Sequence, residues 1–384
     1  MKIDPWEHKK IYLEWKEKIR EKDIKGISKE NSDIIIQYVS DMEDGINIAV
    51  GSVKGSRSYG RLLSLKNRMI FFSKKFKELY GVDNVVKIKE EQIVCFFSNI
   101  QRGIIKRKDG ENFKSPVTYA KIFKAFWHWY MKVNKKKGIE IQDITTDLDN
   151  QQEKPDWVYL TEEQVKKLCE NAKYHHKVLI MFLFDTGIRA PTELLNIKVS
   201  DFYNDFKELN IREETAKTFG RRIKLMLSTD LVKDYIKLKE LKPEDYLFKF
   251  CPHAVNQYLQ RLAKKVLGDG VSEAGQKYSE LTMYDFRHNS CCYWLPRYKS
   301  ESALKYRFGW KKSDKIHYYS ELLGMQDTIS EDDMLLDVTK TEIEQRLEKS
   351  EKENKILHER VDYLERAIGK ITILADKMQL EVNE

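Results

Sequence analysis

The segment Val178–Gly187, with the sequence VLIMFLFDTG, constrains the fold of this chain most strongly. Its first seven residues are all apolar, so a helix built from them has to be covered on every side. The glycine at its end can adopt the left-handed conformation that commonly terminates a helix. The segment therefore predicts a buried helix of a globular domain, and it is too short to cross a bilayer.

Secondary-structure signals flank this helix on both sides. A capping box at Thr161–Gln164 predicts that a helix begins there. Alternating apolar residues in 208–214 and 221–227 predict a β-hairpin. A further helix is predicted from Thr282 until shortly before Pro296, because threonine caps helices and proline ends them. The hairpin residues that should face inward are Leu209, Ile211, Ile223, Leu225 and Leu227.

Residues 1–145 predict a helical region of their own. Apolar residues recur at helical spacing in stretches such as 62–80 and 117–133. Residues 146–156 are polar and include a proline, which is typical of a linker. Aromatic residues that we expect mostly in the core of the helical region are Phe126, Trp127, Trp129 and Tyr130.

The composition narrows the class of protein. With 384 residues, 41% of them hydrophobic, the chain can bury sizeable cores and is expected to hold two or three domains. The formal charge of +8, from 69 Lys and Arg against 61 Asp and Glu, favours an anionic partner only weakly. The five cysteines form no C-x-x-C pair, which argues against zinc, and adjacent Cys291 and Cys292 are expected to be buried thiols. No segment has membrane-spanning or secretory character, so we expect a cytoplasmic protein.

A set of polar and aromatic residues follows through the second half of the chain. Its members are Arg189, Lys217, Tyr284, Arg287, Trp310 and Tyr319. Taken singly, three of them have simpler explanations. Arg189 could be a surface arginine in a helix connection, Lys217 a solvated hairpin lysine, and Arg287 an arginine paired with an aspartate. Taken together, one tyrosine, two arginines, one lysine and a donor ring are what metal-free cleavage of a phosphodiester needs. Such cleavage requires a nucleophile, cations for the charge on the non-bridging oxygens, and a proton donor for the leaving oxygen.

The order and spacing of this set resemble those of the tyrosine recombinases, the integrases of the phage and Xer type, with archaeal-like features. Trp310 follows Arg287 by 23 residues, and Tyr319 follows Trp310 by nine, as in that family. Residues 157–330 resemble its catalytic domain, and residues 1–145 resemble its helical core-binding domain.

The resemblance implies a role for each residue. Arg189 and Arg287 would clamp the phosphate, since a planar fork of donors suits a phosphoryl transition state. Lys217 would protonate the departing 5′ oxygen, and Tyr319 would be the nucleophile. Tyr318 is a rival, but its distance from Trp310 is one residue short.

This chain departs from the family pattern at three points. Tyr284 stands where the family most often has histidine, and a neutral phenol is a poor base. Trp310 replaces the commoner histidine, although an indole N–H can still donate to a phosphate oxygen. Arg189 and Glu193 are four residues apart where three is usual, which predicts a reshaped turn.

The C-terminal region, 331–384, lies largely beyond the resemblance. A heptad pattern from Thr341 onward places Asn354 at an a position among apolar a and d residues, which predicts a two-stranded coiled coil. A single amphipathic helix packed on the protein's own body is the alternative. Between the catalytic region and the heptads, Asp332–Leu336 occupies the place where the family passes a segment to a neighbouring protomer. The a and d residues are Leu347, Asn354, Val361, Ile368 and Ala375 at a, with Ile343, Ser350, Leu357, Leu364, Ile371 and Met378 at d.

These patterns predict a mainly α fold with a small antiparallel β-sheet: a core-binding domain (1–145), a linker (146–156), a catalytic domain (157–330) and a C-terminal coiled coil (331–384). The expected function is site-specific recombination of double-stranded DNA at attachment sites of a mobile element or virus, through a 3′-phosphotyrosyl intermediate and without cofactor or metal. The expected assembly is a homo-oligomer, a dimer through the coiled coil and a tetramer on synapsed DNA. Candidate DNA-binding residues are Lys54, Arg57, Arg61, Arg102, Lys106, Arg107, Lys114 and His288.

Three alternatives remain open from the sequence. Type IB topoisomerases share the same cations and tyrosine, so DNA relaxation is one. A recombinase that resolves chromosome dimers is another. A DNA-binding architectural protein with an inactive site is the third, and the intact set of residues argues against it.

Overall fold

A computed structural model of the chain describes residues 2–19, 23–149, 156–298 and 300–323, together with scattered helical residues between 347 and 368. The chain divides into two compact units, Met1–Asn289 and Ser290–Glu384. Part of the predicted linker, residues 150–155, lies outside the described residues, and so do Asp332–Leu336 and most of the predicted coiled coil. The domain limits given above therefore stay predictions.

The described chain is mainly helical with one small antiparallel sheet, as the sequence predicts. The strands are β1 (Phe202–Tyr203), β2 (Glu208–Ile211) and β3 (Arg221–Lys224), in the order β1-β2-β3. The helices are α1 (His8–Lys18), α2 (Lys29–Asp44), α3 (Tyr59–Tyr80), α4 (Glu90–Gln101), α5 (Pro116–Lys136), α6 (Glu162–Asn171), α7 (Tyr174–Thr186), α8 (Thr229–Leu238), α9 (Pro252–Leu267), α10 (Asp285–Trp294), α11 (Glu301–Phe308) and α12 (Asp314–Leu322).

Helices α1 to α5 enclose one apolar core that is rich in aromatic rings. The rings of Phe72 and Phe123 meet edge to face, with centroids 5.3 Å apart, a geometry that adds to the free energy gained by burial. Trp129 is buried as well, and its indole nitrogen donates a hydrogen bond of 2.8 Å to the Asp41 carboxylate. Phe126 and Trp127 are also buried, which confirms the expectation that these aromatic residues belong mostly to the core.

Helix α6 begins and helix α7 ends where the sequence predicts, while α7 begins at Tyr174, four residues before the predicted apolar segment. The Thr161 hydroxyl accepts a hydrogen bond from the Gln164 backbone N–H, and the Gln164 side chain accepts one from the Thr161 N–H. Gly187 ends α7 in the left-handed conformation, with φ of 58°. The apolar residues 178–180 and 182–184 are buried, as an apolar helix requires, and Met181 is half-buried.

The predicted hairpin is present, but its connection is longer than expected. Leu209 pairs with Ile223 across β2 and β3, and both are buried. Lys217 lies within the connection 212–220, because β2 ends at Ile211 and not at residue 214. The residues after Glu193 form a single 3-10 turn, Leu194–Asn196.

A buried aspartate joins the end of α7 to the end of the hairpin. The Asp185 carboxylate accepts hydrogen bonds from the backbone N–H groups of Met226, Leu227 and Ser228, at 2.9 to 3.0 Å, and from the Ser228 hydroxyl at 2.8 Å. These N–H groups precede α8, where a negative charge also stabilises the helix end. Asp185 thus fixes the hairpin relative to the turn that carries Arg189.

The second unit includes the described residues 290–298 and 300–323. The Arg307 guanidinium lies over the Trp294 ring, 4.2 Å from its centroid, and Arg307 is buried. Cys291 and Cys292 are buried free thiols, as predicted. In the part of the chain that is described, no helix has the length and apolar character needed to cross a membrane.

We predict that Asp185→Ala lowers the free energy of unfolding by roughly 2–4 kcal/mol, because several buried donors lose a charged acceptor. Urea unfolding followed by circular dichroism measures the change. Asp230→Ala is the matched control, since Asp230 lies exposed in the first turn of α8 and should change stability by less than about 1 kcal/mol. Equal effects of the two substitutions would contradict this role of Asp185.

Candidate active site

Arg189 is held by the carboxylate four residues after it. The Glu193 side chain accepts a hydrogen bond from the Arg189 backbone N–H at 3.0 Å and one from Arg189 Nη1 at 2.7 Å. The Arg189 side chain is 11% exposed, and that of Glu193 is fully buried. The unusual spacing thus gives a turn closed by its own ion pair, with the guanidinium near the surface.

A second arginine binds the same carboxylate from the hairpin. Arg221 Nη2 and Nη1 lie 2.8 and 3.3 Å from the two Glu193 oxygens, and both side chains are fully buried. Arg221 is not among the residues that the sequence predicts for this site. The signal was present, because Arg221 has the same parity along β3 as inward-facing Ile223, and an inward arginine requires a buried anion.

These contacts decide the charge of Glu193. Burial alone would raise the pKa of this carboxyl, but the hydrogen bond and charge of Arg221, together with the N–H and charge of Arg189, lower it to about 2. Glu193 is therefore ionised at neutral pH.

Arg287 contacts the same turn from α10. It is buried, and its Nη1 donates a hydrogen bond of 2.6 Å to the Gly187 carbonyl oxygen. Burial lowers its pKa to about 10, with a further contribution from the charges of Arg189 and Arg221, while Glu193 opposes the change. Arg287 remains protonated at neutral pH, so this turn carries one cation, Arg189, and is contacted by a second, Arg287.

Tyr284 and His288 lie at the start of α10. Tyr284 is exposed, and its ring meets the His288 ring edge to face, with centroids 5.3 Å apart. His288 also stacks on Trp157 at 4.9 Å. The neighbouring Asp285 carboxylate accepts hydrogen bonds from Thr282 and from a backbone N–H at position 158, and burial raises its pKa. The His288 ring is thus packed between two aromatic rings, and its predicted DNA contact stays a prediction.

Lys217 is exposed in the connection between β2 and β3. The base of this connection is tied down, because the Glu213 carboxylate accepts a hydrogen bond from the Gly220 N–H and the Thr215 hydroxyl donates 3.0 Å to the Arg212 carbonyl. An exposed lysine on an anchored connection has the access that a proton donor for a bound substrate needs.

The tyrosine and tryptophan of the set lie in the second unit. The Tyr319 ring on α12 stacks on Trp310, with centroids 5.9 Å apart and planes at 11°. Trp310 stacks in turn on Phe308 at 4.9 Å. Tyr319 is 3% exposed, whereas Tyr318 is half-buried with its ring at 69° to that of Tyr319. The ring that stacks on Trp310 is thus that of Tyr319, the residue that the spacing selects.

The candidate DNA-binding residues of the helical region lie at its surface. Lys54, Arg61, Arg102, Lys106, Arg107 and Lys114 are exposed, and Arg57 is half-buried. Two of them make local contacts: Lys54 donates to the Ala49 carbonyl at 2.9 Å, and Arg107 pairs with Asp109 at 2.6 Å. Within the described residues, no group of three or more His, Cys, Asp or Glu side chains could hold a metal ion.

We predict that Glu193→Gln lowers the free energy of unfolding by about 3–5 kcal/mol at pH 7, because two cations lose a buried partner. The folded-state pKa is depressed, so the stability that Glu193 contributes is complete above its ordinary value of 4.5 and is lost as the pH falls toward about 2.

Urea unfolding at several pH values checks this prediction, and the stability of the variant should fall less steeply than wild type in that window. The control is Glu214→Gln, which removes an exposed partner of Arg212 and should cost at most about 1 kcal/mol. Parallel pH profiles of wild type and Glu193→Gln would contradict the role of the carboxylate.

Residues 158–324 match the model of the phage integrase family. A comparison with curated proteins finds no match. Among solved structures, a Tn1549 transposon integrase in complex with a circular intermediate DNA is 14% identical and covers 76% of this chain and 93% of its own, with a TM-score of 0.54. A lambda integrase dimer bound to a COC′ core site is 12% identical and covers 77% and 78%, with a TM-score of 0.53. A lambda integrase tetramer bound to a Holliday junction is 11% identical and covers 74% and 78%, with a TM-score of 0.50.

At these identities the solved structures show a shared fold, and the family match falls on the region that carries Arg189, Lys217, Arg287 and Tyr319. The resemblance inferred from the order of these residues is thereby confirmed over residues 158–324, which are similar to the phage integrase family.

Proposed function

We propose that this protein is a tyrosine-type site-specific recombinase, which cuts and rejoins double-stranded DNA at two attachment sites through a covalent bond between Tyr319 and a 3′ phosphate. The observation that carries the proposal is the pair of arginines at the turn after α7: the buried Glu193 holds Arg189 on this turn, and Arg287 of α10 donates to its Gly187 carbonyl. A fixed pair of cations suits a single phosphate whose charge grows during reaction.

In the proposed reaction the Tyr319 phenol gives up its proton to water, and its oxygen attacks the scissile phosphorus. A bond forms between this oxygen and phosphorus, and the bond from phosphorus to the 5′ oxygen breaks. The departing oxygen takes a proton and becomes a free 5′-hydroxyl. A 5′-hydroxyl of the partner duplex then loses its proton and attacks the phosphotyrosine, which joins the strands and releases Tyr319 with a proton on its oxygen. The number of phosphodiester bonds is unchanged, so no external source of energy is needed.

Each cation has a separate task in this reaction. Arg189 and Arg287 would donate hydrogen bonds to the non-bridging oxygens, because guanidinium groups bind phosphate through parallel N–H donors. Lys217 would supply the proton to the 5′ oxygen. Tyr284 and Trp310 carry an O–H and an N–H donor, which can bind phosphate oxygens without accepting a proton.

The substrate and the assembly form part of the same proposal. The basic residues of the helical region would contact the DNA backbone, which binds cations regardless of sequence. A homo-oligomer would act, a tetramer on two synapsed duplexes and a dimer through the C-terminal heptads. The fold shared with a transposon integrase favours integration and excision of a mobile element or virus, and a cytoplasmic location is part of the proposal.

The nucleophile can be tested by removing one oxygen atom. Tyr319→Phe keeps the ring that stacks on Trp310, so we predict unchanged DNA affinity and no covalent adduct. Incubation with labelled attachment-site DNA, followed by denaturing electrophoresis, detects the adduct. Tyr318→Phe is the matched control and should retain cleavage. An adduct with Tyr319→Phe but not with Tyr318→Phe would move the nucleophile to Tyr318.

The proton donor can be tested with a substrate whose 5′ bridging oxygen is replaced by sulfur. A thiolate leaves without protonation, so we predict that Lys217→Ala slows cleavage of normal DNA by about 10²–10⁴-fold and is largely rescued on the sulfur substrate. Single-turnover cleavage rates measure both effects. Lys224→Ala, on the exposed face of β3, is the control and should be near wild type on both substrates. Equal defects of Lys217→Ala on the two substrates would assign the proton to another donor.

A further inference from the structure

A row of exposed apolar side chains lies on the C-terminal helical residues. Leu347, Leu357, Val361 and Leu364 are helical, and each is between 50% and 59% exposed. Their spacing of three, four and ten residues returns them to one face of a helix. Large aliphatic side chains in such a row are usually covered, whereas these four are open to solvent among the residues that the structure describes.

The row follows a heptad and not the wider stripe of a helix that packs on a globular core. Leu347 and Val361 fall at a positions, and Leu357 and Leu364 fall at d positions. Asn354 stands at the a position between them and is also exposed. A narrow a and d seam with one asparagine is what two parallel helices require, because the two amides can bind each other across the seam.

The orientation follows from Asn354. In a parallel pair with aligned registers, Asn354 meets Asn354 of the second copy. An antiparallel pair sets a positions against d positions, and the d positions of this segment are apolar apart from Ser350. Such an arrangement would place the amide against an aliphatic side chain, which costs the hydrogen bonds that water had supplied.

The flanking charges fit a second copy of the same segment. In the parallel register, Glu353 falls opposite His358 of the second copy. The sequence predicts two further pairs, Arg360 with Glu365 and Arg346 with Glu351, in which Glu365 and Arg346 lie outside the described residues. Each pair joins an acidic residue to a basic one, so the segment is complementary to itself.

We propose that residues 347–368 bind the same segment of a second copy as a parallel, in-register, two-stranded coiled coil, and that the protein is a dimer before it meets DNA. The pairing extends the proposed function, because it would join two protomers through residues that lie apart in the sequence from those assigned to the chemistry. It rests on the proposed function only for its use in synapsis, since the pairing itself needs neither DNA nor cleavage.

The test uses the full-length chain without DNA. Light scattering after size exclusion should give twice the 45.6 kDa mass of one chain at micromolar concentration. Leu357→Glu combined with Leu364→Glu should return the mass to that of one chain, whereas Lys355→Glu, at an outer position of the same heptad, should leave the dimer intact. A monomeric wild type would overturn the proposal.

Cysteine cross-linking tests the orientation. Under mild oxidation, Leu357→Cys and Leu364→Cys should each form a disulfide with the same position of the second copy, well above the background from the exposed Cys95 and Cys251 of wild type. Lys355→Cys should remain at that background. Dimers that cross-link at Lys355→Cys as readily as at Leu357→Cys would overturn the parallel register.

The covalent adduct on a single attachment site separates this proposal from the proposed chemistry. The Leu357→Glu and Leu364→Glu double variant should form the Tyr319 adduct at the wild-type rate, which also shows that it is folded, while joining of two sites should be impaired. If the double variant is monomeric yet joins two sites normally, the coiled coil has no part in synapsis. That result would leave the proposed cleavage by Tyr319 unaffected.

Discussion

The ion pairs of Glu193 are the interaction on which the rest of the site depends. A buried carboxylate between Arg189 and Arg221 fixes the turn after α7 to the first residue of β3. Removing charges from water costs several kcal/mol per ion, so such an arrangement is weak evidence for stability and stronger evidence for a need to hold a cation in place. The Arg221 side chain is fully buried in these contacts, whereas the Arg189 side chain stays 11% exposed.

Much of the frame around this site could be predicted from local sequence signals. The capping box at Thr161, the glycine that ends α7 and the alternation in the hairpin each depend on a few neighbouring residues, and each is present in the structure. The resemblance of residues 158–324 to the phage integrase family could be predicted as well, because it depends on residue types in order along the chain.

The partners of these residues could not be predicted in the same way. Glu193 and Arg221 are 28 residues apart, and Asp185 lies more than 40 residues before the N–H groups that it binds. Such contacts depend on how the elements pack, which single-sequence periodicity does not contain. The turn before the 3-10 helix at Leu194–Asn196 depends on a further side-chain contact, since the Glu193 carboxylate accepts a hydrogen bond from the Arg189 N–H.

The three arginines at this turn outnumber the carboxylate beside them. Arg189, Arg221 and Arg287 carry three positive charges against the one negative charge of Glu193, and the mutual repulsion contributes to the lowered pKa of Arg287. In the proposed reaction a phosphodiester would bring one negative charge, and attack by the Tyr319 oxygen would add more to the non-bridging oxygens. Binding of DNA would then relieve the repulsion that burial strengthens, and the relief would grow as the reaction proceeds. Interactions that strengthen toward the transition state are the ones that accelerate a reaction, so a carboxylate that neutralised all three arginines would favour folding at the expense of catalysis.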